Sequence, residues 1–330
     1  MWSGEYQSWE QIDPPYGGYN TAWLNPAYMI DFERRATDDM LEFIQFQADI
    51  IRSYIPNAII TTNACFCNHT SDFTAMFSEL DVAAYDNYPT ACLTSDYENI
   101  TSTSAFLDMV RGAKRKNFWI MEELSGTPGC WAPMQRTPVP GMIKGYALQT
   151  FAHGADTVIF FRWRTANIGA EMHWHGLIDH SGVPGRRFYE FAELCKEAEE
   201  LKDIQGSELH SDIAILYSPD SGRAFRLQPQ TDGFSYIEQI KAVHQAFVRY
   251  GLNVDIIDEH ADISGYKIVC APALYVTDNS TVKMLHEFAE SGGTVVLTAR
   301  SGVKDENNNC IMEQLPTVYR GLVGCHVTEY

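Results

Sequence analysis

The heptapeptide FWIMEEL at residues 118–124 decides the fold, because bulky apolar residues surround a glutamate pair without polar alternation. Such a strand is buried on both faces, as in a parallel sheet packed between helices. Three more segments share its character: AIITTNAC (58–65), DVAAYDNYP (81–89) and TVIFFRW (157–163). Helical patterns lie between them over 102–116 and 141–153, and another runs from Gly185 to Lys202. Upstream, Phe32, Ala36, Met40, Phe43, Phe46 and Ile50 recur at near-helical spacing over 31–54, and Pro56 stops the run. The first thirty residues, rich in Trp, Tyr, Pro and Gly, read as a long functional loop. This alternation is that of an α/β fold, in which polar groups at strand carboxyl ends form the site.

Near residues 204–211 the pattern resets. A second series follows: DIAILYS (212–218), a helix over 235–250, NVDIID (253–258), YKIVCAPAL (266–274), a helix over 278–291, and GTVVLTAR (293–300). It reads as an open, doubly wound α/β sheet, and the expected division is 1–205 and 206–330. Neither G-x-G-x-x-G nor G-x-x-x-x-G-K-S/T occurs, so nucleotide phosphate binding has no support. Gly292-Gly293 is explained as a helix end entering a strand.

Composition narrows the partners. The 330 residues are 45% hydrophobic, enough for a sizeable core, and carry a formal charge of −19. That charge argues against nucleic acid and anionic membrane, both of which need a basic face. No apolar stretch approaches the roughly 20 residues of a membrane span, and no signal peptide is evident, so cytoplasm is the expected location. The eight Cys are scattered without paired CxxC clusters, which indicates neither a zinc site nor a disulfide framework.

Glu122 and Glu123 end the deciding strand, and alternation sends them to opposite sides, so only one faces a barrel mouth. A strand end meeting water beside an arginine is the plain alternative. The segment FFRWRTANIGAEMHWHG (160–176) adds Glu171, His173 and His175. His-x-His invites a metal reading, but no supporting framework is visible. A carboxylate and an imidazole beside Trp residues suit sugar recognition, where hydroxyls need paired partners and ring faces need aromatic platforms. Tyr88 and Trp131, each just past a strand end, add such platforms. No G-x-S-x-G nucleophile elbow occurs, and Cys270 reads as a small core residue.

Together, WIMEELSGTPGCWAPM (119–134), the run from Pro140 to Ala166, EMHWHGLIDHSG (171–182), WSGEYQSWEQI (2–12) and YDNYP (85–89) resemble the β-galactosidases of glycoside hydrolase family 42. Residues 212–303 are similar to that family's trimer-forming, amidotransferase-like domain. The resemblance implies a retaining exo-β-galactosidase that releases terminal β-galactose from oligosaccharides, without metal or organic cofactor, as a homotrimer. It implies Glu122 as nucleophile, and Tyr88, Trp131, Phe161, Glu171 and His175 around the sugar. The Glu171-to-His175 spacing is one residue longer than in some members, which leaves His173 as the fallback for His175.

One part of the pattern is missing. The family's acid/base glutamate follows an asparagine at the end of the fourth barrel strand, and no Asn-Glu pair occurs here; Asp13 is followed by Pro14-Pro15. Residues 1–205 supply only four strand–helix units, whereas a complete (β/α)8 TIM barrel needs eight and about 250 residues. The expectation is a partial barrel, strands five to eight, followed by a truncated amidotransferase-like domain. Such a fragment would be inactive alone. The alternatives are a non-catalytic carbohydrate-binding or assembly fragment, and a related glycosidase acting on α-arabinosides or other β-linked sugars.

Overall fold

The computed structural model describes residues 6–15, 25–65, 72–89, 96–129 and 136–329. Two compact units share them. One takes the described residues up to Ala58, those of 72–79 and those from Ser211 on; the other takes Ile59–Cys65 and the described residues of Leu80–His210.

In the latter unit, β1 (Asn63–Ala64), β2 (Ala84–Asn87), β3 (Phe118–Leu124) and β4 (Ala155–Phe161) form one parallel sheet in that order. The connections are α3 (Asp96–Lys114) and α4 (Met142–Ala152), and α5 (Arg186–Glu200) follows β4. The third strand begins and ends where FWIMEEL does, because its apolar residues have no exposed alternative: Phe118, Ile120 and Leu124 are fully buried. Leu107 and Val110 of α3 and Ile143 and Ala147 of α4 are fully buried too. Each of the Phe, Ile, Leu and Val side chains contributes about 1.5–3 kcal/mol of burial. Arg111 binds Asp108 and the carbonyl of His153 (2.8 Å), and the His153 ring meets Asp108 at 2.7 Å, which ties α3 to the end of α4.

The sheet carries one irregularity with a consequence for chemistry. Tyr85 is the register partner of Ile120, yet its successor Asp86 pairs with Glu122, not Met121. On the other side, Ile120 pairs with Val158 and Glu123 with Phe160. So β3 carries one extra residue against both neighbours, a bulge between Ile120 and Glu123. Bulges re-aim the side chains around them.

The other unit holds β5 (Ile213–Tyr217), β6 (Asp255–Asp258), β7 (Ile268–Ala271) and β8 (Thr294–Leu297), all parallel, in the order β6-β5-β7-β8. The reversal of order beside β5 is the doubly wound topology. Ala214, Leu216, Ile257, Val269, Leu274, Leu285 and Phe288 fill one core, and α7 (Tyr236–Val248) and α8 (Asn279–Glu290) follow β5 and β7.

The same unit contains α1 (Pro26–Tyr54), α2 (Phe73–Ser78) and α6 (Pro219–Leu227). The spacing of apolar residues missed α6, whose signal is its cap: the Ser218 hydroxyl accepts from the amide of Ser221, and Pro219 occupies the first turn. Within this unit α1 lies against α6. Arg34 donates to Asp220 at 2.9 Å, Arg226 pairs with Glu33, and Arg223 reaches both Asp220 and Thr37 at 2.8 Å. The helix therefore docks on its charged face. Phe43, Phe46 and Ile50, the periodic apolar positions, remain exposed.

Arg223 is 3% exposed. Removing it takes away its bonds to Asp220 and Thr37 while Arg34 still pairs with Asp220, and hydrogen bonds to charged groups are worth about 1.5–3 kcal/mol each. Arg223→Ala should lower this unit's unfolding free energy by about 3 kcal/mol in urea; a loss under about 1 kcal/mol contradicts the docking account.

Candidate active site

The two glutamates lie on different faces of β3, and the bulge sets Glu122 opposite Ile120. Glu123 shares a face with Ile120, Tyr85 and Asn87, and that face meets the helices: Tyr85 touches Phe106 of α3 at 6.5 Å between ring centroids. The fully buried Glu123 carboxyl accepts from the Asn87 amide (2.9 Å) and from the Thr150 hydroxyl of α4 (3.2 Å). Burial pushes its pKa up to about 8, against the lowering effect of these bonds. Near pH 7 it is therefore a neutral, structural acid.

Glu122 lies on the opposite face with Asp86, its register partner. Its carboxylate accepts a hydrogen bond from the Tyr88 hydroxyl, one residue beyond β2. Burial first, and then the bond to Glu122, push the Tyr88 phenol far above its usual range, so it stays a donor.

An aromatic cluster continues from this pair. The Tyr88 ring meets Trp174 edge-on with centroids 4.8 Å apart, and Trp174 meets Phe161 at 5.5 Å. The Arg162 guanidinium lies 4.3 Å from the Phe161 ring centre and pairs with Glu171. Four expected site residues, Glu122, Tyr88, Phe161 and Glu171, are thus linked in one chain of contacts. The residue at its centre, Trp174, is 3% exposed and was not singled out from the sequence. Its only signal there is an aromatic flanked by two histidines in a loop after a strand.

His175 is held differently. Its ring meets Asp179 at 2.9 Å, Arg187 binds the same carboxylate, and its amide donates to the Thr127 carbonyl at 3.0 Å. Burial raises the Asp179 pKa, but the His175 and Arg187 contacts outweigh it and leave the group below its ordinary value. Glu171 and His175 have separate partners. Among the described residues no three His, Cys, Asp or Glu side chains gather where a metal could bind. Trp131 lies outside the described residues.

Backbone contacts join the two loops. A Cβ on Gly126 would meet the His175 carbonyl oxygen at 2.4 Å, and one on Gly129 would meet that of His173 at 1.9 Å. The Ser125 hydroxyl lies 2.6 Å from the Phe161 carbonyl and accepts from the Arg162 amide at 2.7 Å, which fixes the end of β4 against that of β3.

Residues 1–201 match the family model for the β-galactosidases of glycoside hydrolase family 42. The chain belongs to this family. Residues 211–330 match the model of the β-galactosidase trimerisation domain. β-Galactosidase BgaA of Clostridium cellulovorans is 50% identical over 331 residues, which cover 100% of this chain and 50% of that protein. The β-galactosidase Bga of Halorubrum lacusprofundi is 30% identical over 100% of this chain and 48% of its own length. The solved β-galactosidase from the same haloarchaeon superposes with a TM-score of 0.93 at 29% identity, covering 99% of this chain and 50% of that one. The chain therefore spans about half the length of the curated relatives it matches. The fold is a partial TIM barrel followed by a doubly wound α/β domain, as the strand pattern indicated.

Proposed function

We propose that this chain carries the nucleophile half of a retaining exo-β-galactosidase that hydrolyses terminal non-reducing β-D-galactose. The observation that carries this reading is the Tyr88 hydroxyl bonded to Glu122 on the face opposite the buried Glu123. Tyr88 occupies one carboxylate oxygen, Oε2, and leaves the other to attack the anomeric carbon. That attack forms a galactosyl ester on Glu122 as the glycosidic bond breaks. A second carboxylate protonates the departing oxygen, then takes a proton from the water that cleaves the ester. Two displacements retain the anomeric configuration. Phe161 and Trp131 offer the sugar apolar faces, and Glu171 and His175 meet its hydroxyls.

The acid/base residue belongs to the part of the relatives' length that this chain does not span. No Asn-Glu pair occurs anywhere in the sequence, which supports this. The trimerisation-domain match supports a homotrimer for the intact protein.

General acid–base groups contribute about 10²–10⁴-fold. Turnover of nitrophenyl β-galactoside by the 330-residue chain should accordingly be negligible, at least about a hundredfold below that of full-length relatives. Equal rates would sink the assignment of the acid/base outside this chain.

A further inference from the structure

Asp86 stands beside the nucleophile and has no role in the steps above. The β2–β3 register makes it the partner of Glu122, and both leave the sheet on the face that carries Tyr88. It is 9% exposed. Its Oδ2 accepts from the Asn63 amide of β1 at 2.6 Å, while its buried Oδ1 has no hydrogen-bond partner among the described residues. A second ionised carboxylate here would be desolvated, half-satisfied and next to a like charge, and each condition disfavours it. A neutral acid in the same place has no charge to desolvate and does not repel Glu122, and its unpartnered Oδ1 costs less than it would on an ion.

We propose that Asp86 is a positioning residue for the nucleophile: it holds a proton beside Glu122, so that the pair carries one negative charge and that charge resides on Glu122. This rests on the reading of Glu122 as nucleophile. The described groups facing Asp86 are Glu122 from β3, Asn63 from β1, Cys65 just beyond β1 and the Tyr88 phenol just beyond β2, a donor to Glu122; no described cation contributes. Burial first, then Glu122 and Cys65, raise the Asp86 pKa to about 7 against the lowering effect of Asn63. Below that pH, Glu122 has a neutral neighbour. Above it, Asp86 ionises and repels the Glu122 charge.

Carboxyl-carbon NMR of the 330-residue chain, labelled at Asp and Glu, tests this without catalysis. One aspartate should titrate near pH 7, far above the ordinary 3.8, and vanish in Asp86→Asn. The Glu122 resonance, assigned through Glu122→Gln, should inflect at the same pH and lose that inflection in Asp86→Asn. If that variant unfolds, Asn63→Ala provides a second arm: losing the bond that favours ionised Asp86 should move the midpoint upward. Titration of Asp86 with the ordinary aspartates, a Glu122 inflection that survives Asp86→Asn, or an Asn63→Ala midpoint that stays put would overturn the proposal. Failure of a 2-fluoro-galactoside to trap Glu122 would remove the nucleophile reading instead, and leave the carboxyl pair as measured.

Discussion

Glutamine at position 123 is expected to remove much of the alkaline sensitivity of the unit that holds β1–β4. The Glu123 carboxyl keeps its proton up to about pH 8 when folded, whereas its ordinary value is 4.5. The folded state therefore binds the extra proton between these values, and stability falls with rising pH across that window. The contribution is fully present below about 4.5 and lost as the pH passes 8. At about 1.4 kcal/mol per pH unit, the whole span is worth on the order of 5 kcal/mol. Glu123→Gln keeps the shape and the acceptor for Asn87 while carrying no charge at any pH.

Glu259, just beyond β6, offers an internal comparison. It lies in the other unit, and burial pushes it to about 8 as well, against the bond from Ser218 and the nearby His260. Calorimetric melting at pH 6 and pH 9 should show each glutamine variant flattening the pH dependence of its own unit only. An unchanged slope in Glu123→Gln would mean that this carboxyl is not held neutral.

The second large effect concerns Tyr88. Tyr88→Phe keeps the ring that packs on Trp174 but removes the hydroxyl that donates to Glu122. Hydrogen bonds to charged groups are worth about 1.5–3 kcal/mol, so covalent trapping of Glu122 by an activated 2-fluoro-galactoside should slow by roughly 10- to 150-fold. Thermal stability should change far less. A trapping rate within about twofold of the parent would show that the bond does not tune the nucleophile.

Much of this was legible in the sequence. The limits of β3 followed from an apolar run with no other place to go, and the Tyr88 and Glu122 positions from polar groups at strand ends. The doubly wound sheet followed in the same way. What was hidden depends on tertiary context. Simple alternation already separates Glu122 from Glu123, but only the bulge puts Glu122 opposite Ile120 despite a spacing of two. The periodicity of α1 marks a helix, but not that ion pairs from other positions hold it to α6. Trp174 has no motif to mark it; its position follows from Gly126 and Gly129, which let the loop backbone of residues 173–175 come close. Trp131 falls outside the described residues, and His175 is oriented by Asp179.

Peptide mapping after reaction with an activated 2-fluoro-galactoside tests the central claim most directly. The label must report which glutamate of the adjacent pair is on the reactive face. A galactosyl adduct on Glu122, lost in Glu122→Gln and kept in Glu123→Gln, is the predicted result. An adduct on Glu123, or one that persists in Glu122→Gln, would contradict the placement of the nucleophile.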